Sequence, residues 1–123
     1  MSVLVLGGAG FIGRRLIPVL VKAGHDVTCM DVDITGGLEA FSLLGDKVKL
    51  IRGDVTQFDD VMGAVQDSCA DRMVNLSYFI GTIAPHVAFK LDIQGMDNCF
   101  EAARRGGVKH TVFASSLAVS GQQ

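Results

Sequence analysis

The stretch V-L-V-L-G-G-A-G-F-I-G, residues Val3 to Gly13, decides how this chain folds. It opens with a short apolar run, which is typical of a buried strand, and an apolar helix pattern begins at Phe11. Between them stand the glycines Gly7, Gly8 and Gly10. A strand, a glycine-rich turn and a helix in this order predict a site for the pyrophosphate of a dinucleotide. Glycine lets the backbone approach the phosphates, and the start of the helix attracts the anion.

Two glycine spacings can be seen in this turn. Gly8, Gly10 and Gly13 give G-x-G-x-x-G, whereas Gly7, Gly10 and Gly13 give G-x-x-G-x-x-G. Either spacing alone is a weak signal, and a glycine-rich turn that binds no ligand is the alternative. The strand and the helix on the two sides of the turn favour the phosphate site.

A second strand, Asp26 to Asp31, follows the first helix. Asp31 lies about 20 residues beyond the glycine turn, where a dinucleotide-binding fold places the acid that bonds the ribose hydroxyls. Such an acid favours NAD, because it repels the 2′-phosphate of NADP. No Arg or Lys follows until Lys47, so the sequence gives no sign of a clamp for NADP. Asp33 is a possible substitute for Asp31, and a solvated residue at the end of a strand is the alternative for both.

The length and composition of the chain indicate a single α/β domain. The chain has 123 residues, of which 49% are hydrophobic, and its formal net charge is -2. These values predict a single domain, residues 1–123, with a buried parallel sheet, and they give no reason to expect nucleic acid as a partner. No apolar run approaches the ~20 residues of a membrane span, and no signal peptide precedes the first strand. We expect a cytoplasmic protein without a membrane partner.

The cysteines and histidines carry no sign of a metal site. Cys29, Cys69 and Cys99 lie far apart in the sequence, and the histidines are equally scattered. We expect the three cysteines to be small buried residues in a reducing compartment.

Strand and helix patterns alternate along the whole chain. The strands are predicted at 2–6, 26–31, 48–51, 72–76 and 109–114, and the helices at 11–23, 57–67 and 85–105. A loop or short helix follows the second strand and runs through Leu44. Pro18 should kink the first helix or remove one of its hydrogen bonds, and Gly106-Gly107 should stop the last one. This alternation predicts a doubly wound parallel sheet of order 3-2-1-4-5, with a ligand outside the carboxyl ends of its strands.

Small or polar residues follow the third, fourth and fifth strands. The segments are Gly53-Asp54-Val55, Leu76-Ser77-Tyr78 and Ser115-Ser116. They lie where a cofactor would meet the sheet. The alternatives are a helix N-cap for Asp54, which is compatible with a ligand contact, and an ordinary strand-end turn for the two serines.

Together these segments resemble the extended short-chain dehydrogenase/reductase superfamily, and the NAD-dependent epimerase/dehydratase family in particular. The resemblance covers essentially the whole chain. It rests on V-L-G-G-A-G-F-I-G-R-R-L at Val5–Leu16, A-G-H-D-V at Ala23–Val27, R-G-D-V at Arg52–Val55 and the long segment Asp92–Ser116. It implies an NAD(P)-binding Rossmann fold, cut before its last strands and without the carboxyl-terminal substrate-binding part.

The resemblance also implies a role for individual residues. The pyrophosphate would lie on the turn, at Gly7, Gly10, Phe11, Ile12 and Gly13. Asp31 would bind the adenine ribose, and Asp54 with Val55 would bind the adenine. The middle of the cofactor would pass Leu76, Ser77 and Tyr78. Ser116 matches the catalytic Ser/Thr, which polarises the hydroxyl or carbonyl of the substrate.

Several departures from the family pattern matter. The family often has Thr, Asn and Tyr where this chain has Leu6, Asp92 and Ser120. The catalytic Tyr-x-x-x-Lys pair is absent from these residues, whose only tyrosine is Tyr78. We therefore expect the NAD-binding portion of an epimerase/dehydratase that acts on a nucleotide-sugar-like substrate by hydride transfer, inactive by itself. A small-molecule substrate would be bound only by a longer chain. The alternatives are a stand-alone or truncated dinucleotide-binding module without catalysis, and a partner-binding protein with a vestigial turn.

The fifth strand suggests a partner of a different kind. Residues Thr111 to Ala114 would form an exposed apolar edge of the sheet, and such edges pair with other chains. We expect self-association. A monomer whose last residues fold back over this edge is the alternative.

Overall fold

The sheet has the predicted strand order. The structure is a computed structural model and describes residues 1–77, 86 and 90–113 of the chain. Its strands are β1 (Ser2–Leu6), β2 (Asp26–Asp31), β3 (Val48–Arg52), β4 (Arg72–Asn75) and β5 (His110–Phe113). They pair in parallel in the order β3-β2-β1-β4-β5, so all their carboxyl ends lie at one edge. The prediction of a doubly wound Rossmann-type sheet is confirmed.

Helices connect these strands. They are α1 (Phe11–Lys22), α2 (Thr35–Ala40), α3 (Phe58–Ser68) and α4 (Gly95–Gly106), with a 3-10 turn at Ser42–Lys47 and a π-helical turn at Lys90–Gln94. The long helix predicted at 85–105 is therefore described at residue 86, which is helical, and from residue 90 onward, where a π-helical turn precedes α4. No helix in the described part of the chain is long and apolar enough to cross a membrane.

The core has two layers, one on each face of the sheet. Leu4 and Leu6 of β1 point to one face and pack with Val61 of α3 and Ala102 of α4. Val3 and Val5 point to the other face, toward α1. A strand that is covered on both faces has no solvated side, which is why the sequence of β1 is apolar without interruption.

Two helices end in the same way. Gly24 after α1 and Gly107 after α4 adopt left-handed backbone, with φ of 94° and 74°. In each case the next residue donates its N–H back to the helix, from His25 to Leu20 at 3.1 Å and from Val108 to Ala103 at 2.9 Å. The predicted helix stop at Gly106-Gly107 is confirmed. Pro18 does not end α1, which runs through it to Lys22.

Helix α3 ends differently, and one sequence prediction fails there. Its cap residue Cys69 is left-handed with φ 51° and is exposed, so the expectation that all three cysteines are buried is wrong for Cys69. Cys29 and Cys99 are buried as expected. Burial raises the pKa of both thiols to about 12, and the charge of Asp31 adds to the effect on Cys29. Both are therefore unreactive core residues.

Candidate functional site

The glycine-rich turn lies at the carboxyl edge of the sheet, between the two neighbours of β1. Gly7 has φ 75° and donates its N–H to the Met30 carbonyl of β2 at 2.8 Å. On the other side, the N–H of Leu76 donates to the carbonyl of Leu6 at 2.7 Å. The turn is thus fixed at the position where ligands bind to open parallel sheets.

Close packing within the protein requires glycine at three positions of the turn. A Cβ at Gly7 would lie 2.7 Å from the Ser77 Oγ, and its positive φ disfavours other residues. A Cβ at Gly8 would lie 2.6 Å from the Sγ of Cys29, and one at Gly13 would overlap the backbone carbonyl of Gly8. Residues larger than glycine at these positions would push α1 away from the strands.

Gly10 is different, because the described residues leave space beside it. Among them, a Cβ at Gly10 would approach only the Gly7 carbonyl oxygen, at 3.5 Å, and its φ of −81° is open to any residue. Gly10 is also the N-cap of α1, where no side chain caps the helix and no acid occupies the first turn. A small residue in open space before an uncapped helix fits the close approach of an anion such as pyrophosphate.

The start of α1 carries two exposed apolar side chains. Phe11 is 75% exposed and Ile12 is 51% exposed. The guanidinium of Arg15 lies 4.1 Å from the centre of the Phe11 ring. A residue in the first turn of a helix offers a bound anion its backbone N–H, so these side chains need not touch the ligand.

Asp31 lies against the glycine turn. Its Oδ2 accepts the N–H of Ala9 at 3.1 Å, and its Oδ1 accepts the N–H of Asp33 at 3.4 Å. Asp33 is exposed, and its carboxylate accepts the N–H of Thr35 at 3.0 Å. Hydrogen bonds from Thr35 lower the pKa of Asp33. Of the two acids, Asp31 is therefore the one that faces the glycine turn, while Asp33 shapes the loop before α2.

Asp54 does not cap α3, so the N-cap alternative is wrong. Its Oδ1 accepts the N–H and the hydroxyl of Thr56, both at 2.8 Å, and this closes a local turn. The N-cap position of α3 belongs to Gln57. The backbone N–H of Asp54 donates to the Oδ2 of Asp60 at 3.0 Å, which ties the segment after β3 to the first turn of α3.

Val55 points into the core. It is 3% exposed, and a Cβ at Gly95 would lie 2.8 Å from its Cγ2, so α4 packs closely against it. The side-chain amide of Asn98 donates to the Val55 carbonyl at 2.9 Å. Only the backbone of Val55 is therefore placed to meet a ligand, and Asn98 helps to hold that backbone.

The end of β4 forms the other wall of the turn. The N–H of Ser77 donates to the Oδ1 of Asn75 at 2.9 Å, and Asn75 is 5% exposed. Leu76 is half-buried and packs against the layer on the α1 side. Tyr78 and Ser116, the other two predicted site residues, lie outside the described residues.

A cation that the sequence pattern did not indicate lies near the glycine turn. Arg14 of α1 donates from Nε to the Ala9 carbonyl at 2.9 Å, and its Nη2 lies against Gly36 of α2. Arg52 at the end of β3 is near enough for its charge to lower the pKa of Asp33. Arg14 precedes Asp31 in the chain, so the run without Arg or Lys between Asp31 and Lys47 does not reveal it.

Comparison with known proteins places the chain in a family. The sequence model of the NAD-dependent epimerase/dehydratase family matches residues 3–123. UDP-glucose 4-epimerase of Lactobacillus helveticus is 31% identical over 98% of this chain, and 3 beta-hydroxysteroid dehydrogenase type 7 of Mus musculus is 29% identical over 96%. The chain spans 37% and 33% of the lengths of these two relatives.

Solved structures agree with the sequence matches. The Thermus thermophilus UDP-glucose 4-epimerase in complex with NAD superimposes with a TM-score of 0.84 at 30% identity, over 94% of this chain and 38% of the epimerase. A Stenotrophomonas maltophila UDP-glucose 4-epimerase with bound NAD and formylated UDP-arabinopyranose gives a TM-score of 0.87 at 26% identity, over 100% of this chain and 39% of that enzyme.

Proposed function

We propose that this chain, which belongs to the NAD-dependent epimerase/dehydratase family, binds NAD along the carboxyl edge of its sheet. The observation that carries the proposal is the contrast between Gly10 and its neighbours. Close packing requires glycine at Gly7 and Gly13, but the residues that the structure describes leave room for a side chain at Gly10. A glycine at that position serves a ligand that must approach the backbone.

In this proposal each part of the dinucleotide meets one part of the edge. The backbone from Gly7 to Gly13 and the uncapped start of α1 bind the pyrophosphate. Asp31 accepts hydrogen bonds from the adenine ribose. The turn closed by Asp54, with the Val55 backbone held by Asn98, lines the adenine pocket. Leu76, Ser77 and Tyr78 lie along the middle of the cofactor.

The proposed reaction is a hydride transfer with a nucleotide-sugar-like substrate. NAD, when bound, accepts the hydride from a carbon of the substrate and can return it. Ser116, assigned from its match to the catalytic Ser/Thr of the family, donates a hydrogen bond to the substrate oxygen. Since the chain spans little more than a third of its UDP-glucose 4-epimerase relative, the substrate contacts belong to a protein longer than these residues.

A second function is a dinucleotide-binding module without catalysis. Within these 123 residues the one tyrosine, Tyr78, is followed four residues later by Thr82, so they hold no Tyr-x-x-x-Lys pair. General acid/base catalysis contributes roughly 10²–10⁴-fold to a rate, so the 123-residue chain alone should show no turnover. Turnover that depends on Ser116 would instead point to another base and favour the enzyme.

Calorimetric titration of the chain with NAD tests the proposal. We expect saturable binding that Asp31→Ala weakens about tenfold, because hydrogen bonds to a charged group contribute roughly 1.5–3 kcal/mol. Asp33→Ala is the matched control, since it removes the same charge from the adjacent loop and should change the affinity less. Absence of NAD binding by the folded chain, or equal effects of the two variants, would contradict the proposed site.

Self-association is the second part of the proposal. Val112 and Phe113 of β5 are 61% and 44% exposed, and the Phe113 ring packs edge-on against Phe100 of α4, with ring centres 5.5 Å apart. Within the described residues β5 lies at an edge of the sheet, and exposed apolar residues on an edge strand favour pairing with another copy. Sedimentation over a range of concentrations should show association that Phe113→Lys reduces. A concentration-independent monomer would refute this part without affecting the NAD site.

A further inference from the structure

The rim of the proposed ribose site contains a guanidinium as well as a carboxylate. Ala9 connects the two, because its N–H donates to the Oδ2 of Asp31 at 3.1 Å and its carbonyl accepts the Nε of Arg14 at 2.9 Å. The N and O atoms of one residue are separated by no more than a few ångströms, so the guanidinium lies within about 10 Å of the carboxylate.

Arg14 has donors left for a ligand. Within the described residues, its one hydrogen-bond acceptor is the Ala9 carbonyl, which uses one of the five N–H groups of a guanidinium. Its Nη2 lies across the start of α2, where a Cβ at Gly36 would be 2.5 Å away. The side chain therefore extends over the loop after β2, while remaining exposed to solvent.

The charges around this rim balance. Asp31 and Asp33 are negative, and Arg14 and Arg52 are positive, with Arg52 close enough to act on Asp33. Asp31 alone would repel the 2′-phosphate of NADP. A guanidinium on the opposite side of Ala9 offsets this repulsion, because its planar N–H groups match the oxygens of a phosphate.

We propose that Arg14 is a specificity-determining residue that binds the 2′-phosphate of NADP and narrows the preference for NAD created by Asp31. The inference rests on the proposed NAD site and adds a residue to it. It gives the chain a measurable affinity for NADP, weaker than that for NAD but far from absent.

The test is the ratio of the NADP and NAD dissociation constants, measured by titration of the folded chain. Arg14→Gln keeps a donor for the Ala9 carbonyl but loses the charge. It should weaken the affinity for NADP roughly tenfold and change the affinity for NAD by no more than about threefold. Arg14→Lys keeps the charge but loses the paired N–H donors of the guanidinium. Its affinity for NADP should lie between those of wild type and Arg14→Gln. Circular dichroism verifies that each variant is folded.

Arg15→Gln is the matched control. It removes the same charge from the neighbouring position of α1, where the guanidinium lies over the Phe11 ring. The ratio should stay within about twofold of the original, because screening by salt weakens charges that do not contact the ligand. An equal shift of the ratio in Arg15→Gln would mean that only the net charge matters, and would overturn the role of Arg14.

A double variant completes the experiment. Asp31→Asn should improve the relative affinity for NADP, and most of this gain should disappear in the Asp31→Asn/Arg14→Gln chain. An affinity for NADP that is independent of Arg14, in a chain that binds NAD, overturns this inference and leaves the NAD site intact. A folded chain that binds neither dinucleotide overturns the proposed function, and this inference with it.

Discussion

Helices α1 and α3 both begin at the carboxyl edge of the sheet, but the side chains in their first turns differ in charge. Helix α3 has two acids there, Asp59 and Asp60, and Asp60 also accepts the N–H of Asp54. Helix α1 has none, and its N-cap is Gly10 without a side-chain cap. The positive end of α3 has the protein's own carboxylates beside it, whereas the first turn of α1 has none, as the proposed anion site requires.

A helix start alone therefore does not make a site. Both helices follow parallel strands of one sheet, and both have the same kind of backbone dipole. What differs is the side chains of the first turn and the open space beside Gly10. These differences can be altered one residue at a time.

The largest effect is expected from Gly13→Ala. A Cβ there would overlap the Gly8 carbonyl, so the strand, turn and first helix could no longer pack as they do. Forced overpacking of this kind costs roughly 1–3 kcal/mol and sometimes more, and contact with rigid backbone places this case at the upper end. Chemical denaturation measures the loss in the free energy of unfolding.

Gly63→Ala in α3 is the matched control for that variant. A Cβ at Gly63 would have no neighbour within 4 Å among the described residues, and alanine is favoured over glycine in a helix interior by roughly 0.5–1 kcal/mol. It should therefore stabilise the chain. If both alanine variants change the free energy of unfolding in the same direction, the close packing around Gly13 does not stabilise the fold as argued.

Ile12→Glu would make the first turn of α1 resemble that of α3. The side chain is 51% exposed, so the carboxylate can lie near the free N–H groups of the helix. It should weaken NAD binding about tenfold through competition and repulsion, while it stabilises the free chain by roughly 0.3–1 kcal/mol. Ile12→Gln introduces a side chain of the same shape as glutamate without its charge. It should change neither the affinity for NAD nor the stability by these amounts. Unchanged NAD affinity in Ile12→Glu would place the phosphates elsewhere.

The far ends of the two helices extend the comparison. Helix α1 is followed by the left-handed Gly24, whereas α3 ends at the left-handed Cys69, with φ 51°. This conformation costs a residue with a Cβ roughly 1–2 kcal/mol, so Cys69→Gly should raise the free energy of unfolding by about 1 kcal/mol. Thermal melting compares it with Cys69→Ser, which keeps the Cβ and should show no such gain.

The smallest effect concerns charges on α4, away from the turn. Two arginines, Arg104 and Arg105, donate hydrogen bonds to Glu101 and lower the pKa of its carboxyl from 4.5 to about 2. A pKa that is lower in the folded chain stabilises the fold above the unfolded pKa, and this contribution is lost as the pH falls from about 4.5 to about 2. The groups are exposed, so the effect is small.

Thermal melting of wild type and Glu101→Gln checks this pH dependence. The small difference in melting temperature between them should be present at pH 6 and should disappear as the pH falls through that window. Glu39→Gln on α2, which removes the same charge elsewhere, is the control. A difference that stays constant down to pH 2 would contradict the assignment to Glu101.

Local patterns explain why so much of the fold could be predicted. The apolar run of β1 and the glycines at 24 and 107 determine a strand and two helix ends without help from distant residues. The bounds of β1 and β2 are as predicted, and α1 differs by one residue at its end. The parallel order follows from the alternation of strands and helices.

The parts that could not be predicted depend on contacts between distant positions. Asn98 reaches Val55 across 43 residues, and the cation near the glycine turn comes from α1. The exposure of Cys69 depends on a cap conformation that glycine more often adopts. Asp54 is of a residue type that often caps helices, and α3 begins a few residues later. The helix begins too far along the chain for Asp54 to be its N-cap.

The proposed phosphate site at Gly10 can be tested by titrating wild type and Gly10→Ala with NAD and comparing their melting temperatures. Among the described residues, the added Cβ lies no closer than 3.5 Å to any atom. Alanine at a compatible φ stabilises a chain by roughly 0.4–1 kcal/mol, but glycine is favoured over alanine at an N-cap, so the two effects oppose each other. We expect a melting temperature close to that of wild type and an affinity for NAD at least about tenfold weaker, because the methyl group occupies the path of the pyrophosphate. A Gly10→Ala chain that binds NAD as tightly as wild type would show that the pyrophosphate does not approach this glycine.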